Sequence, residues 1–228
     1  MIHEGKDLAG ENRTERADLV VVGTGPGGAV LAARCAEAGM RVVMLEQGPF
    51  LRAKDFNQRE DDMTNRLVGR RGFHFSEDDG NLGLLYCETV GGTTVHFWAD
   101  TPRVPDARLN EWADRFGLEG FRPDAFAAHY AHAEEGMHVE RANDYQVNDN
   151  NRKVLAGARA LGWACDRVPQ ARKNCVACGY CEEGCSYNRK QSMLVSYVPR
   201  ATRAGAVLYS DARAETILTT ADRRRALG

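Results

Sequence analysis

The sequence predicts an α/β fold built on a parallel β-strand, helix, β-strand unit, and three observations carry that expectation. Residues 18 to 48, "DLVVVGTGPGGAVLAARCAEAGMRVVMLEQG", pass from an apolar run through a glycine turn into helix-forming residues and out into a second apolar run. The glycines fall in the order G-x-G-x-x-G, and an acidic residue closes the second run. Hydrophobic residues at 43%, charged residues at 27% and a formal net charge of -2 fit an ordinary globular protein and give no general attraction to nucleic acid.

Residues 1–17 read as a polar leader. They carry no apolar h-region, and no stretch of the chain reaches the roughly 18 apolar residues of a membrane span. The expected location is therefore cytoplasmic, which leaves room for peripheral association with a membrane. Seven cysteines, an odd number, fit reduced thiols or metal ligands better than a disulfide framework.

Leu19 to Val22 form a wholly apolar, β-branched run suited to a central parallel strand. "AVLAARCAEAG" then reads as a helix closing on Gly39, with Cys35 packed toward the sheet, and "RVVMLE" as the second strand. In the turn between them, Gly23 makes the bend, Gly25 lets backbone approach a pyrophosphate, and Gly28 lets helix and strand pack closely. The helix N-terminus offers free N–H groups and a positive dipole end to the phosphates. Glu46, eighteen residues after Gly28, stands where a carboxylate accepts hydrogen bonds from ribose hydroxyls and argues against a 2′-phosphate. FAD and NAD both remain open on these residues alone.

Residues 49 to 85 are polar, and Gly69, Gly72, Gly80 and Gly83 break any period, so loops with short helical pieces are expected. "VGGTTVHFWADTPRVP" supplies a second glycine turn. Gly91 and Gly92 permit close backbone approach, Thr93 and Thr94 offer hydroxyls, and His96 is carried as a cofactor contact. Three helices follow, at "LNEWADRFG", "DAFAAHYAHAEEGMHV" and "NDNNRKVLAGARALGW", the last starting near Asn148 or Asp149. "SMLVSYVPRATRAG" is expected to be helical in parts and broken at Pro199. "AVLYSDARAETILTT" alternates like strands. "AETILTTADRRRALG" stops like a hairpin cut at its turn, so the fold reads as incomplete, and its arginine run as a solvated patch.

Cys175, Cys178, Cys181 and Cys185 follow C-x2-C-x2-C-x3-C, a ferredoxin-type spacing. Only one such run is present, and Ser186 stands where a proline normally follows. An iron-sulfur cluster, a compact turn of small apolar residues set by Gly179 and Gly184, and a zinc or redox-thiol site all stay open.

The two glycine motifs together resemble the glucose-methanol-choline (GMC) oxidoreductases. The likeness extends through "CVACGYCEEGCSYNRKQSMLVSYVPRATRAGAVLYSDARAETI", which is similar to the bacterial dehydrogenase and long-chain alcohol oxidase branches. It implies a Rossmann-like FAD-binding domain with part of a second, substrate or cap region. In that frame the first motif holds the ADP half of FAD, the second lies along the flavin half, and the backbone of Ala214 meets the adenine. It also implies domain limits of 18–98 for the FAD-binding βαβ unit and flavin-side loop, 99–170 for a helical segment, 171–192 for a cysteine-rich loop, and 193–228 for a truncated return.

The implied activity is oxidation of a small-molecule alcohol by hydride transfer to flavin. Phe97, Trp98 and Ala99 depart from the Asn or Gly pair of many relatives. His3, His74, His96, His129, His132 and His138 match none of the family's catalytic positions, so no catalytic residue is assigned. The chain alone is therefore expected to be inactive, with a complementary C-terminal chain or an electron-transfer subunit as partner. An NAD-dependent Rossmann oxidoreductase, and an iron-sulfur electron-transfer or assembly subunit with a vestigial nucleotide site, are the alternative readings.

Overall fold

A computed structural model describes residues 1–69 and 74–228. Gly72, one of the glycines expected to break the loop region, lies outside the described residues. In chain order the elements are β1 (Ile2–His3), β2 (Leu19–Val22), α1 (Pro26–Glu37), β3 (Val42–Leu45), α2 (Glu60–Leu67), β4 (His74–Phe75) and β5 (Gly83–Leu84). They continue with α3 (Asp106–Phe116), α4 (Pro123–Gly136), β6 (Val139–Arg141), α5 (Asp149–Ala160), β7 (Pro169–Ala171), α6 (Tyr197–Arg203) and β8 (Val207–Tyr209). They fall into two compact units. The first holds residues 1–96, 182–186 and 193–228, and the second holds 97–181 and 187–192.

The first unit is organised by a four-stranded parallel sheet in the order β1-β8-β3-β2. Its α/β architecture with a parallel sheet is the one the glycine-turn unit predicts. Helix α1 lays Ala29, Ala32, Ala33 and Ala36 on one stripe at i, i+3, i+4, i+7, all buried, and these small side chains let it approach both the sheet and α6. Beneath them Val21, Val42, Met44 and Leu208 form the floor of the core. Cys35, expected to face the sheet, is only half-buried beside the alanine stripe.

Three expectations are revised here. Ile2–His3 of the polar leader is a strand, paired in parallel with Leu208 and Tyr209. β2, expected as a central strand, ends the sheet among the described residues, with Val21 buried but Val20 51% and Val22 60% exposed. An all-apolar run announces burial on both faces, and here only the face toward α1 is covered. Helix α6 runs through Pro199 instead of breaking there, because Pro199 is its third residue, within the first turn, where a missing N–H costs no helical bond.

Among the described residues of 49–85 are a 3-10 turn at Ala53–Asp55, the helix α2 and the antiparallel pair β4 and β5. Past β8 the expected strand-like alternation does not continue. Residues 212–218 are irregular, and the chain then folds into a small turn closed by the Thr219–Ala226 bridge, with its arginines exposed.

In the second unit, α3 buries Leu109 and Ala113 and stops at Gly117. Phe121, stacked on Phe126 at 5.0 Å, links the α3 side to α4, with Trp112 edge-on at 6.3 Å. Helix α5 is capped by Asn148, whose side chain accepts from Asn151 N at 2.9 Å. Strands β6 and β7 pair antiparallel. No helix among the described residues is long and apolar enough to cross a membrane.

Candidate functional site

The glycine turn after β2 is shaped by contacts that exclude side chains. Gly23 has φ +87° and donates its N–H to Leu45 O at 2.8 Å, tying the turn to the end of β3. A Cβ on Gly28 would lie 2.0 Å from Gly23 O, so only glycine lets α1 start this close to the strand. At Gly25, by contrast, a Cβ would meet no protein atom within 4 Å. That open space lies at the N-terminus of α1, which no side chain caps, and it has the form of a cradle for a group brought in from outside.

The second glycine motif closes on the first. A Cβ on Gly92, whose φ is +57°, would come within 2.8 Å of Gly25 Cα, so the two motifs touch backbone to backbone. Gly91 N donates to Thr24 Oγ1 at 3.0 Å.

Glu46 is buried at 6% exposure and held by protein donors. Its Oε2 accepts from Thr24 N at 2.9 Å and Thr24 Oγ1 at 2.7 Å, and its Oε1 accepts from Gly48 N at 3.0 Å. The backbone frames the same residue: Glu46 N donates to Tyr209 O at 2.9 Å, and Ala212 N donates to Glu46 O at 2.8 Å.

These groups surround a cavity of about 400 Å³ lined by Val22, Gly23, Gly25, Pro26, Leu45, Glu46, Gln47, Cys87, Gly92, Thr93 and Ala212 to Ala214. Of the expected contacts, Gly23, Gly25, Glu46, Gly92, Thr93 and Ala214 are therefore brought together. Gly28 and Gly91 support the lining from behind. Thr94 and His96 are not part of it. The Thr94 hydroxyl donates to Gly91 O at 2.6 Å and accepts from Met193 N at 2.9 Å, while His96 Nδ1 lies 2.6 Å from Glu182 O. Both are committed to holding the loop.

Sequence reasoning missed Thr24, Gln47, Cys87 and Arg213. The last three sit beside motif residues and carry no pattern of their own. Thr24 occupies a variable position of the fingerprint.

The cysteine loop differs in kind. Cys175, Cys178 and Cys181 belong to the second unit and Cys185 to the first. None of the four is part of a disulfide, and among the described residues no group of three or more His, Cys, Asp and Glu side chains is gathered as a metal site. The turns are held by polar side chains on carbonyls. Tyr145 Oη and Gln146 Nε2 donate to Cys175 O at 3.0 and 3.2 Å, and Lys190 Nζ donates to Cys181 O at 2.5 Å and Phe97 O at 2.9 Å. Gly184, in the first unit, packs so tightly on Phe56 that a Cβ would lie 2.2 Å from its ring.

The sequence pattern of the family described as GMC oxidoreductase matches residues 17–228. The chain is 35% identical over 211 residues to a GMC-type oxidoreductase of Mycobacterium tuberculosis, covering 91% of this chain and 33% of that protein. It is 29% identical over 215 residues to a long-chain-alcohol oxidase of Arabidopsis thaliana, covering 94% of this chain and 28% of that protein. The chain thus spans about a third of the length of these relatives. Pyridoxine 4-oxidase from Mesorbium loti shares the fold at a TM-score of 0.67 and 15% identity, over 90% of this chain and 44% of that one.

Proposed function

Because the chain belongs to the GMC oxidoreductase family, we propose that it forms the FAD-holding part of an enzyme that oxidises an alcohol CH–OH group. The observation that carries this reading is the single cavity lined by both glycine motifs and Glu46. The residues fit a dinucleotide: an uncapped helix start, an open cradle at Gly25 and a buried carboxylate.

In this reading the amides of the turn and the start of α1 bind the pyrophosphate. Glu46 accepts from a ribose hydroxyl. The backbone at Ala212 to Ala214 borders the adenine, and Gly92 and Thr93 bear on the flavin half. Bound FAD supplies the hydride acceptor; the protein contributes binding and orientation. His96 acts as a loop-holding residue.

The cavity lining contains no histidine, so a base for the alcohol proton must come from outside it. The 228-residue chain alone is accordingly expected not to turn over alcohols. The exposed Val20 and Val22, on the sheet face away from α1, support a complementary segment covering that face. The substrate class is a small-molecule alcohol, in keeping with the long-chain-alcohol oxidase relative.

Titration of the purified chain with FAD and, separately, with NAD tests the reading. Uptake of FAD with the yellow flavin absorbance and no uptake of NAD is expected; the reverse preference establishes the NAD-dependent alternative. Iron and acid-labile sulfide, measured on anaerobically prepared protein, test the remaining alternative. Stoichiometric amounts would make the cysteines cluster ligands.

A further inference from the structure

Thr24 stands behind the cavity lining and is bonded to Glu46 and to the second glycine turn, although no glycine or acid rule points to it. It is fully buried, at 0% exposure, and both its hydroxyl and its backbone N–H are used. Its hydroxyl donates to Glu46 Oε2 at 2.7 Å and accepts from Gly91 N at 3.0 Å, while its own N–H donates to the same Glu46 oxygen at 2.9 Å. One side chain therefore joins the first glycine turn to the acid 22 positions later and the second turn 67 positions later.

The count of lone pairs gives this arrangement a consequence. An ionised carboxylate has about four acceptor sites. Thr24 takes both on Oε2, and Gly48 N takes one on Oε1 at 3.0 Å, so the open acceptor is on Oε1. We propose that Thr24 is the positioning residue of the dinucleotide site: it pins Oε2 of Glu46, leaves Oε1 to receive a ribose hydroxyl, and fixes Gly91 so that Gly92 sits against Gly25. This rests on the reading of the cavity as a dinucleotide site.

Valine keeps the shape of threonine and removes the hydroxyl. In Thr24→Val the Gly91 N–H loses its acceptor and Oε2 of Glu46 loses one donor, which leaves the carboxylate free to turn and the second motif free to shift. Serine keeps the hydroxyl and loses only a methyl group. The 228-residue chain, its Thr24→Val, Thr24→Ser and Glu46→Gln variants and the Thr24→Val, Glu46→Gln double variant are titrated with FAD by flavin fluorescence. Folding of each apo form is followed by circular dichroism during heating.

Thr24→Val is expected to weaken FAD binding by about 10- to 100-fold, and Thr24→Ser to stay within about 3-fold of wild type. The Val effect should shrink in the Glu46→Gln background, because one path of its action is then already gone. If Thr24→Val lowers the melting temperature but binds FAD like wild type, or if its effect is the same in both backgrounds, the positioning role is overturned. A wild-type chain that takes up no FAD refutes instead the dinucleotide reading beneath it.

Discussion

The glycine turn at 23–28 and the cysteine loop at 175–185 are the two most heavily patterned stretches of the chain, and they are held in opposite ways. In the turn, position is set by what is missing: no atom beyond Cα can exist at Gly28 or Gly92 without meeting backbone. In the loop, position is set by what reaches in: Lys190, Tyr145 and Gln146 donate to the loop's own carbonyls and to that of Phe97. The first kind of construction is written into the local sequence. The second depends on distant residues, so the same spacing of thiols is compatible with a metal centre or with a turn.

That contrast predicts where each region breaks. Gly28→Ala should have the largest effect, because its methyl group would lie 2.0 Å from Gly23 O and backbone must move to admit it. A stability loss of about 3 kcal/mol is expected in denaturant unfolding, together with loss of FAD uptake. A variant that melts and binds like wild type would mean the turn is looser than its contacts indicate.

Lys190→Met sharpens the other side. Lys190 is 3% exposed, and its ammonium is spent on Cys181 O and Phe97 O. Its loss should cost about 2 kcal/mol, since two part-buried carbonyls lose a charged donor. Replacing Cys175, Cys178 and Cys181 together by serine should cost less. The opposite ranking, with the serine variant collapsing first, would favour ligand duty for the thiols.

The smallest effect concerns the ends of the βαβ unit. Asp18, just before β2, pairs bidentately with Arg41, just before β3, at 2.7 and 3.1 Å and also accepts from Arg41 N at 2.9 Å. The Arg41 side chain, then its backbone N–H, lowers the Asp18 carboxyl to about 2. A lowered folded-state value means the pair's stabilisation is present above the unfolded carboxyl value of about 3.9 and is lost as pH falls toward 2. Solvent and salt screen so exposed a pair, so Asp18→Asn should lower stability only slightly above about pH 4, and the difference from wild type should shrink away as pH falls from about 4 to 2. A difference that persists undiminished down to pH 2 would contradict this.

The legibility of the chain follows the same division. The βαβ unit, the closing of α1 at Gly39 and the cap of α5 at Asn148 were readable because each depends on neighbours within a few residues. Ile2–His3 was not, since two residues show no period and only β8 makes them a strand. The place of β2 at the end of the sheet was unreadable because pairing order is a tertiary fact. Pro199 misled because a proline signals a break only once the helix start is known. Within the site, glycines and Glu46 carried recognisable spacing, whereas Thr24 draws its importance from partners 22 and 67 residues away.

The most direct test of the account is the structure of the chain crystallised with FAD. It should show the diphosphate over Gly25 at the start of α1 and a ribose hydroxyl on Oε1 of Glu46. A dinucleotide bound elsewhere, or a chain that crystallises from excess FAD with that cavity closed by its own side chains, would contradict it.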